Sequence, residues 1–356
     1  MKLSEKNCNR IVVKIGSSLF FNAQKRLDFE LLRALCSDIA ALRAERKEVV
    51  IVTSGAIALG MSALNLDCRP NELSSLQAAA AIGQNELMDV YRAIFRKKEL
   101  LCGQVLLTWE DFADRKRYLN ARNTLVKLLT LGVVPIINEN DTVSVDEIKF
   151  GDNDQLSALV ANTVGADMLF ILSDVDGLWG KDKKTVVRLV TDITDEITSL
   201  AKTTSRSTSV GGMITKIKAA KMTVDAGIPC IIANGRAKNI ISVLASDPHS
   251  CGTMFVPKQS SLNHKQRWLA YSTKPIGVIV VDDGAKKALI NNKSLLSVGV
   301  VSSCGNFKSG DIVAIVDKKK MEFARGKINL SSVDLALVIG MRGGHEVIHC
   351  DNIVIF

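Results

Sequence analysis

"KFGDNDQLSALVANTVGADMLFILSDVDGLW", residues 149–179, reads in three parts. A polar cluster, Asp152-Asn153-Asp154, stands at the mouth of a stretch with helical spacing. A continuous apolar run, "MLFILSD" (168–174), follows as a strand, and a polar turn through Asp176 and Gly177 closes it. A strand apolar at nearly every position implies a sheet covered on both faces, as in mostly parallel α/β folds. Carboxylates at a helix mouth complement the helix dipole, so Asp152 and Asp154 read as capping groups. They read equally well as groups that orient lysines, a metal or an amine.

The same alternation runs outward in both directions. Short β-branched runs at "IVVKI" (11–15), "EVVIVTS" (48–54), "CGQVLLT" (102–108), "VVPIIN" (133–138) and "PCIIAN" (229–234) are separated by helical patterns near 28–45, 55–64, 74–97, 117–131, 212–226 and 237–245. Residues 1–257 therefore read as a mostly parallel open sheet sandwiched by helices. The rhythm breaks at 258–274, a polar linker with one aromatic patch that partly packs. From 275 to 356, short strands between Asn, Gly, Asp and Lys turns read as a small β-barrel with one or two helices.

Composition narrows the function. The chain has 356 residues, 47% apolar and 23% charged, ordinary for a globular protein long enough for two domains. No apolar run approaches the roughly 18–20 residues that span a bilayer, and the N-terminus lacks a signal-peptide core, so the cytoplasm is expected. The eight cysteines are scattered, without a CxxC pair or zinc-ligand spacing, and read as reduced structural thiols. Of the net charge of +9, residues 275–356 carry only +2, from ten Lys/Arg against eight Asp/Glu. The remaining +7 lies on the larger part, which suits phosphorylated small molecules at least as well as nucleic acid. Neither GxxxxGK[ST] nor GxGxxG occurs, so the P-loop and dinucleotide signatures are missing.

Chemistry instead gathers at strand-to-helix junctions, where open α/β sheets bind ligands. "VVKIGSSLF" places Lys14 before Gly16, Ser17 and Ser18, a turn that can cradle phosphate or simply carry a solvated lysine. In "VTSGAIALG", Ser54 and Gly55 open a helix; Ser54 is either its N-cap or a ligand contact. "INENDTVSVDEIKFGDNDQLS" is dense in polar groups after an apolar strand: Asn138, Glu139, Asn140 and Asp141, then Lys149 and the 152–154 triplet. Such Asp and Asn side chains can hold an α-ammonium. "LSDVDGLWG" sets Ser173 and Asp174 at a central strand end, bordering a nucleotide or ending the strand. "STSVGGMITKIKAAKM" puts Lys216 in the first turns of a helix, where it opposes the dipole at a cost of about 0.3–1 kcal/mol unless an anion lies between. "HEVIH" (345–349) formally matches a zinc-protease pattern, but strand geometry would hold its histidines roughly 13 Å apart, too far for one zinc.

Taken together, "VVKIGSS", "VTSGAIALG", "PIINENDTV", "IKFGDNDQLSALVA", "LSDVDGLW", "GGMITKIKAA" and "GTMF" (252–255) resemble the amino-acid kinase family. The tail, with "VVDDGAKKAL" and "EVIHCDNIVIF", resembles a PUA domain. "INEND" followed by "FGDND" is the specific part, and it points to the branch that phosphorylates the γ-carboxylate of L-glutamate, the first step towards proline. Ser17 and Ser173 stand where threonine is common in the family, and both keep the hydroxyl. The resemblance implies ATP and Mg²⁺ as cofactors and Lys14, Lys216 and Asp154 as the catalytic set, with Asp154 organising the two lysines. It implies Ser54, Gly55, Asp141, Asp152 and Asn153 around glutamate. It implies Lys14, Gly16, Ser17, Ser173, Asp174 and the segment Val210, Gly211, Gly212, Met213, Ile214, Thr215, Lys216 around ATP, with no protein metal ligand. It further implies a homo-oligomer, dimer or tetramer, with proline as feedback inhibitor. The alternatives are a relative acting on acetylglutamate, aspartate or UMP, or an RNA-binding protein acting through the PUA domain; the small charge of the tail argues against RNA.

Overall fold

The computed structural model describes residues 8–22, 24, 27–144, 153–202, 212–257, 264–272, 275–341 and 345–355. The chain divides into two compact units, residues 1–111 with 116–261 and residues 112–115 with 262–356.

The first unit is built on eight strands: β1 (Arg10–Ile15), β2 (Glu48–Val52), β3 (Cys102–Leu107), β4 (Val134–Glu139), β5 (Met168–Ser173), β6 (Leu189–Val190), β7 (Cys230–Asn234) and β8 (Thr253–Phe255). They form one sheet in the order β3-β4-β2-β1-β5-β7-β8-β6. Every pair is parallel except β7 with β8, so six strands end on a common edge and the last two turn back. The helices are α1 (Phe29–Ala44), α2 (Ala56–Ala63), α3 (Leu73–Arg96), α4 (Arg115–Thr130), α5 (Asn153–Val164), α6 (Asp195–Lys202), α7 (Met213–Val224) and α8 (Ile240–Ser246).

Side-chain alternation along β1 decides which helices face which side. Ile11, Val13 and Ile15 join a core with Leu35 of α1, Leu87 of α3 and Ile241 of α8. Val12 and Lys14 face the other way, where α5 packs on β1 and α7 packs on α5. All six residues of β5 are buried, as its unbroken apolar run requires of a central strand. Each such Ile or Leu contributes roughly 1.5–3 kcal/mol by leaving water. The strands β6 and β8 escape the sequence reading because two- and three-residue strands carry no periodicity, and the eight-residue helix α6 escapes it as well.

The second unit holds a five-stranded sheet, β9 (Gly277–Val281), β11 (Val300–Cys304), β12 (Ile312–Val316), β13 (Glu322–Lys327) and β15 (Ile353–Ile355), in the order β11-β9-β12-β13-β15. A two-stranded sheet pairs β10 (Leu295–Leu296) with β14 (Glu346–Ile348). Both pack with helices α9 (Asp283–Ile290) and α10 (Ser332–Val338) around their own core, which includes Ile279, Ile315, Leu335 and Val347. The middle of "HEVIH" is strand β14, not helix, so its two histidines are not arranged as a zinc-protease pair. Among the described residues no helix is long and apolar enough to cross a membrane, and the eight cysteines are free.

Candidate active site

Because β1, β2, β4, β5 and β7 end together, the polar residues that follow them share one edge of the sheet. Asn153 and Asp154 open α5 beneath that edge, and both are buried. Lys216 enters from α7, the fourth residue of that helix, and Lys14 from the penultimate position of β1.

These residues meet. The Lys14 Nζ lies 2.6 Å from Asp154 Oδ1, and the Lys216 Nζ lies 3.2 Å from Asp154 Oδ2. The Thr215 hydroxyl donates to the same Oδ2 at 2.8 Å. The lysine side chains are 8% exposed and the aspartate 2%. Burial alone would raise the Asp154 carboxyl, but the two ammonium groups and hydrogen bonds from Lys14 and Thr215 outweigh it and hold the pKa well below the usual range. Two ammonium groups share one carboxylate, so this cluster of three carries one net positive charge. In a site this dry, an incoming anion is drawn to that charge and balances it.

Beside this ionic group runs a neutral one. The Asn153 Nδ2 donates to the Thr53 carbonyl at 2.8 Å, to the Ser54 Oγ at 2.8 Å and to the Asn138 Oδ1 at 2.9 Å. The Asn138 Nδ2 in turn donates to the Gln84 Oε1 of α3 at 2.8 Å. A backbone carbonyl can only accept, so Thr53 fixes the direction of the Asn153 amide, and each amide fixes the next. The Asn153 Oδ1 is buried without a hydrogen-bond partner among the described residues. It is an acceptor, the type of group that receives an ammonium.

Ser54 does not cap its helix. Gly55 is the N-cap of α2, at φ +100°, a conformation open to glycine, and the Ser54 hydroxyl is taken by Asn153. Of the two roles open to Ser54, the structure therefore excludes capping. Asp141 is buried three residues after Asn138, in a turn where the amides of Val143 and Ser144 bond to the Asn140 carbonyl.

On the other side of the ionic group, Gly16 lies against the Lys14 ammonium, a Cβ there falling 3.7 Å from Nζ. The Gly16 amide is committed to the Leu172 carbonyl at 3.0 Å, so it is not the phosphate cradle the sequence suggests. The 3₁₀ turn Ser17–Leu19 follows, and its first amides lack helical acceptors. Ser18 and Ser173 both donate to Asp174, joining the ends of β1 and β5. Gly212, Met213, Ile214 and Thr215 form the start of α7, whose first amides lack helical acceptors. Asp152, Val210 and Gly211, and Lys149 with them, lie outside the described residues.

Sequence reading missed Gln84, Thr53 and Arg236. Arg236, after β7, donates to Asp28 at 2.8 Å and to the Phe21 carbonyl at 2.7 Å, tying down the turn that follows Lys14. An arginine in a polar loop gives no sequence signal for that task. Gln84 gives a faint one, a single amide among the buried positions Ala80, Gly83 and Leu87 of α3.

Residues 9–234 match the amino acid kinase family, and residues 277–348 match the PUA domain. Glutamate 5-kinase of Caldanaerobacter subterraneus subsp. tengcongensis is 43% identical, with 97% of each chain covered. The glutamate 5-kinase of Marinomonas sp. is 43% identical over 100% of both chains, and that of Azoarcus sp. is 45% identical over 98% of both. Among solved structures, carbamate kinase from Giardia lamblia bound to AMP-PNP superposes with a TM-score of 0.51 at 19% identity, covering 70% of this chain and 99% of that one. N-acetylglutamate synthase from Neisseria gonorrhoeae, complexed with coenzyme A and N-acetyl-glutamate, gives 0.52 at 15% identity, covering 72% of this chain and 62% of that one. The two structures share the fold alone. With matches of this extent, the chain belongs to the amino acid kinase family, among its glutamate 5-kinases with a C-terminal PUA domain.

Proposed function

We propose that the chain transfers the γ-phosphoryl group of ATP to the γ-carboxylate of L-glutamate, giving L-glutamyl 5-phosphate, the first step of proline biosynthesis. The observation that carries this reading is the pair of buried ammonium groups held on one carboxylate beside a row of buried amides. The catalytic unit is taken as 1–257, with a linker at 258–274 and the PUA domain at 275–356.

A γ-carboxylate with a pKa of about 4.3 is ionised at neutral pH, so no general base is needed. One carboxylate oxygen attacks the γ-phosphorus, the bond from that phosphorus to the bridging oxygen breaks, and ADP departs with the electron pair. The barrier lies in bringing two anions together, and it falls through alignment and charge neutralisation. Lys14 and Lys216 supply the neutralising charge, and Asp154 and Thr215 hold them in place. Magnesium would be held through the phosphates of ATP and would add neutralising charge to that of Lys14 and Lys216. Asp154 is not its ligand, since both carboxylate oxygens already face ammonium or hydroxyl donors. Ser54, Gly55, Asp141, Asn153 and Asp152 surround glutamate, with the Asn153 Oδ1 accepting from the α-ammonium. Gly16, Ser17, Ser173, Asp174 and the segment 210–216 border ATP.

Incubation with ATP, hydroxylamine and a panel of glutamate, acetylglutamate, aspartate and UMP tests the assignment, because an acyl phosphate is trapped as a hydroxamate. Hydroxamate from glutamate is expected; none from glutamate rejects it. The same reading places the enzyme in the cytoplasm as a homo-oligomer inhibited by proline. Light scattering and a proline titration of the kinase assay test the last two.

A further inference from the structure

The amide row has an unused end. Its polarity starts at the Thr53 carbonyl and passes through Asn153 and Asn138, and it arrives at Gln84 with Oε1 accepting and Nε2 left over. Gln84 is 8% exposed, and its Nε2 is buried with no hydrogen-bond partner among the described residues. A buried donor left unmade carries its full desolvation penalty, so folded proteins rarely leave one without a reason. The amide cannot simply turn over to hide it, because Asn138 would then present its NH₂ to another NH₂.

The depth of Gln84 is also set by construction. Its neighbour Gly83 lies so close to α2 that a Cβ would sit 1.8 Å from the Ala56 carbonyl oxygen. Helices α2 and α3 thus cross backbone to backbone, and α2 is the helix that begins after Ser54 and Gly55. The crossing carries the next residue of α3, Gln84, down to Asn138 at the substrate edge of the sheet.

We propose that the Gln84 Nε2 donates to the non-reacting carboxylate of the acceptor substrate, making Gln84 a specificity-determining residue. The proposal rests on the carboxylate-kinase reading given above. The two ends of the amide row then offer complementary partners, an acceptor on Asn153 for an ammonium and a donor on Gln84 for a carboxylate. A substrate with both groups in fixed relation, an α-amino acid, is what such a row reads.

Two variants separate this contact from a merely structural bond to Asn138. Gln84→Glu keeps an oxygen to accept from Asn138 and removes the donor; Gln84→Met removes both. In the full-length enzyme, Gln84→Glu should raise the KM for glutamate by about tenfold or more, with the KM for ATP little changed and any loss of melting temperature from the buried carboxylate recovered as the pH falls. The rise should shrink as the pH falls towards 5.5, because the introduced carboxyl regains a donor once it is protonated. Gln84→Met should raise the same KM without that pH dependence. A Gln84→Glu enzyme with the wild-type KM, or one whose KM for ATP rises in step, overturns the proposal. If the wild type phosphorylates another carboxylic acid instead of glutamate, the variants are read with that acid. Weakening there keeps the donor and rejects glutamate, and a wild type that phosphorylates no carboxylate overturns both.

Discussion

Two neighbouring residues at the start of α5 belong to opposite designs. Asp154 sits among charges, with Lys14, Lys216 and the Thr215 hydroxyl on its two oxygens. Asn153 sits among neutral groups, bonded to Thr53, Ser54 and Asn138. Both residues are buried, so the difference is not one of solvent. On the proposed reading, formal charge is desolvated where charge must move between phosphate and carboxylate, and fixed amide dipoles are used where a substrate must only be recognised. Removing a member of the first group should therefore act on turnover, and removing one of the second on substrate affinity.

The largest effect is expected for the lysines. Lys14→Ala or Lys216→Ala should lower kcat by roughly 10³-fold or more, while the melting temperature holds, because a neutral lysine–aspartate pair remains. Circular dichroism melts beside the kinase assay check both halves. Asp154→Asn should cost about 10²-fold in kcat and also several degrees of melting temperature, since the two ammonium groups would lose the carboxylate they share. On the neutral side, Asn153→Ala and Ser54→Ala should raise the KM for glutamate by about tenfold or more and change kcat only a few-fold. A fall in kcat alone from either would erase the distinction. Thr215→Val should give the smallest catalytic loss, roughly three- to tenfold, by removing one hydroxyl from Asp154.

The pH dependence sharpens the same contrast. The folded-state pKa of Asp154 is depressed, so its contribution to stability is fully present above the unfolded carboxyl value of about 3.9 and is lost only as pH falls below it. Thermal melts of the wild type should show no Asp154-linked change between about pH 6 and 9. The melting temperatures of wild type and Asp154→Asn should converge on acidification below about pH 4.

Much of this was readable in the chain itself. The buried strands β1, β2, β4, β5 and β7 are apolar enough to announce themselves, and the polar residues after them mark the candidate active edge. What the sequence could not settle was mutual placement. Ser54 carries the side chain of a good N-cap, and only the contact from Asn153 shows that its hydroxyl is used elsewhere. Gly16 looks like a phosphate cradle, yet its amide closes onto Leu172 of the neighbouring strand. Gln84 meets Asn138 across 54 residues of sequence, and a glutamine inside "AAAAIGQNELM" has no local reason to stand out. The convergence of Lys14 and Lys216 spans the whole first unit and was legible only through family resemblance.

The convergence of those lysines is tested most directly by trapping γ-glutamyl phosphate as the hydroxamate, at saturating MgATP and glutamate, in wild type, Lys14→Ala and Lys216→Ala. Wild type should form hydroxamate steadily, while each variant, still folded, should fall by roughly 10³-fold or more. A folded variant of either lysine that keeps turnover within about tenfold of wild type would show that its ammonium does not serve the transferring phosphoryl group.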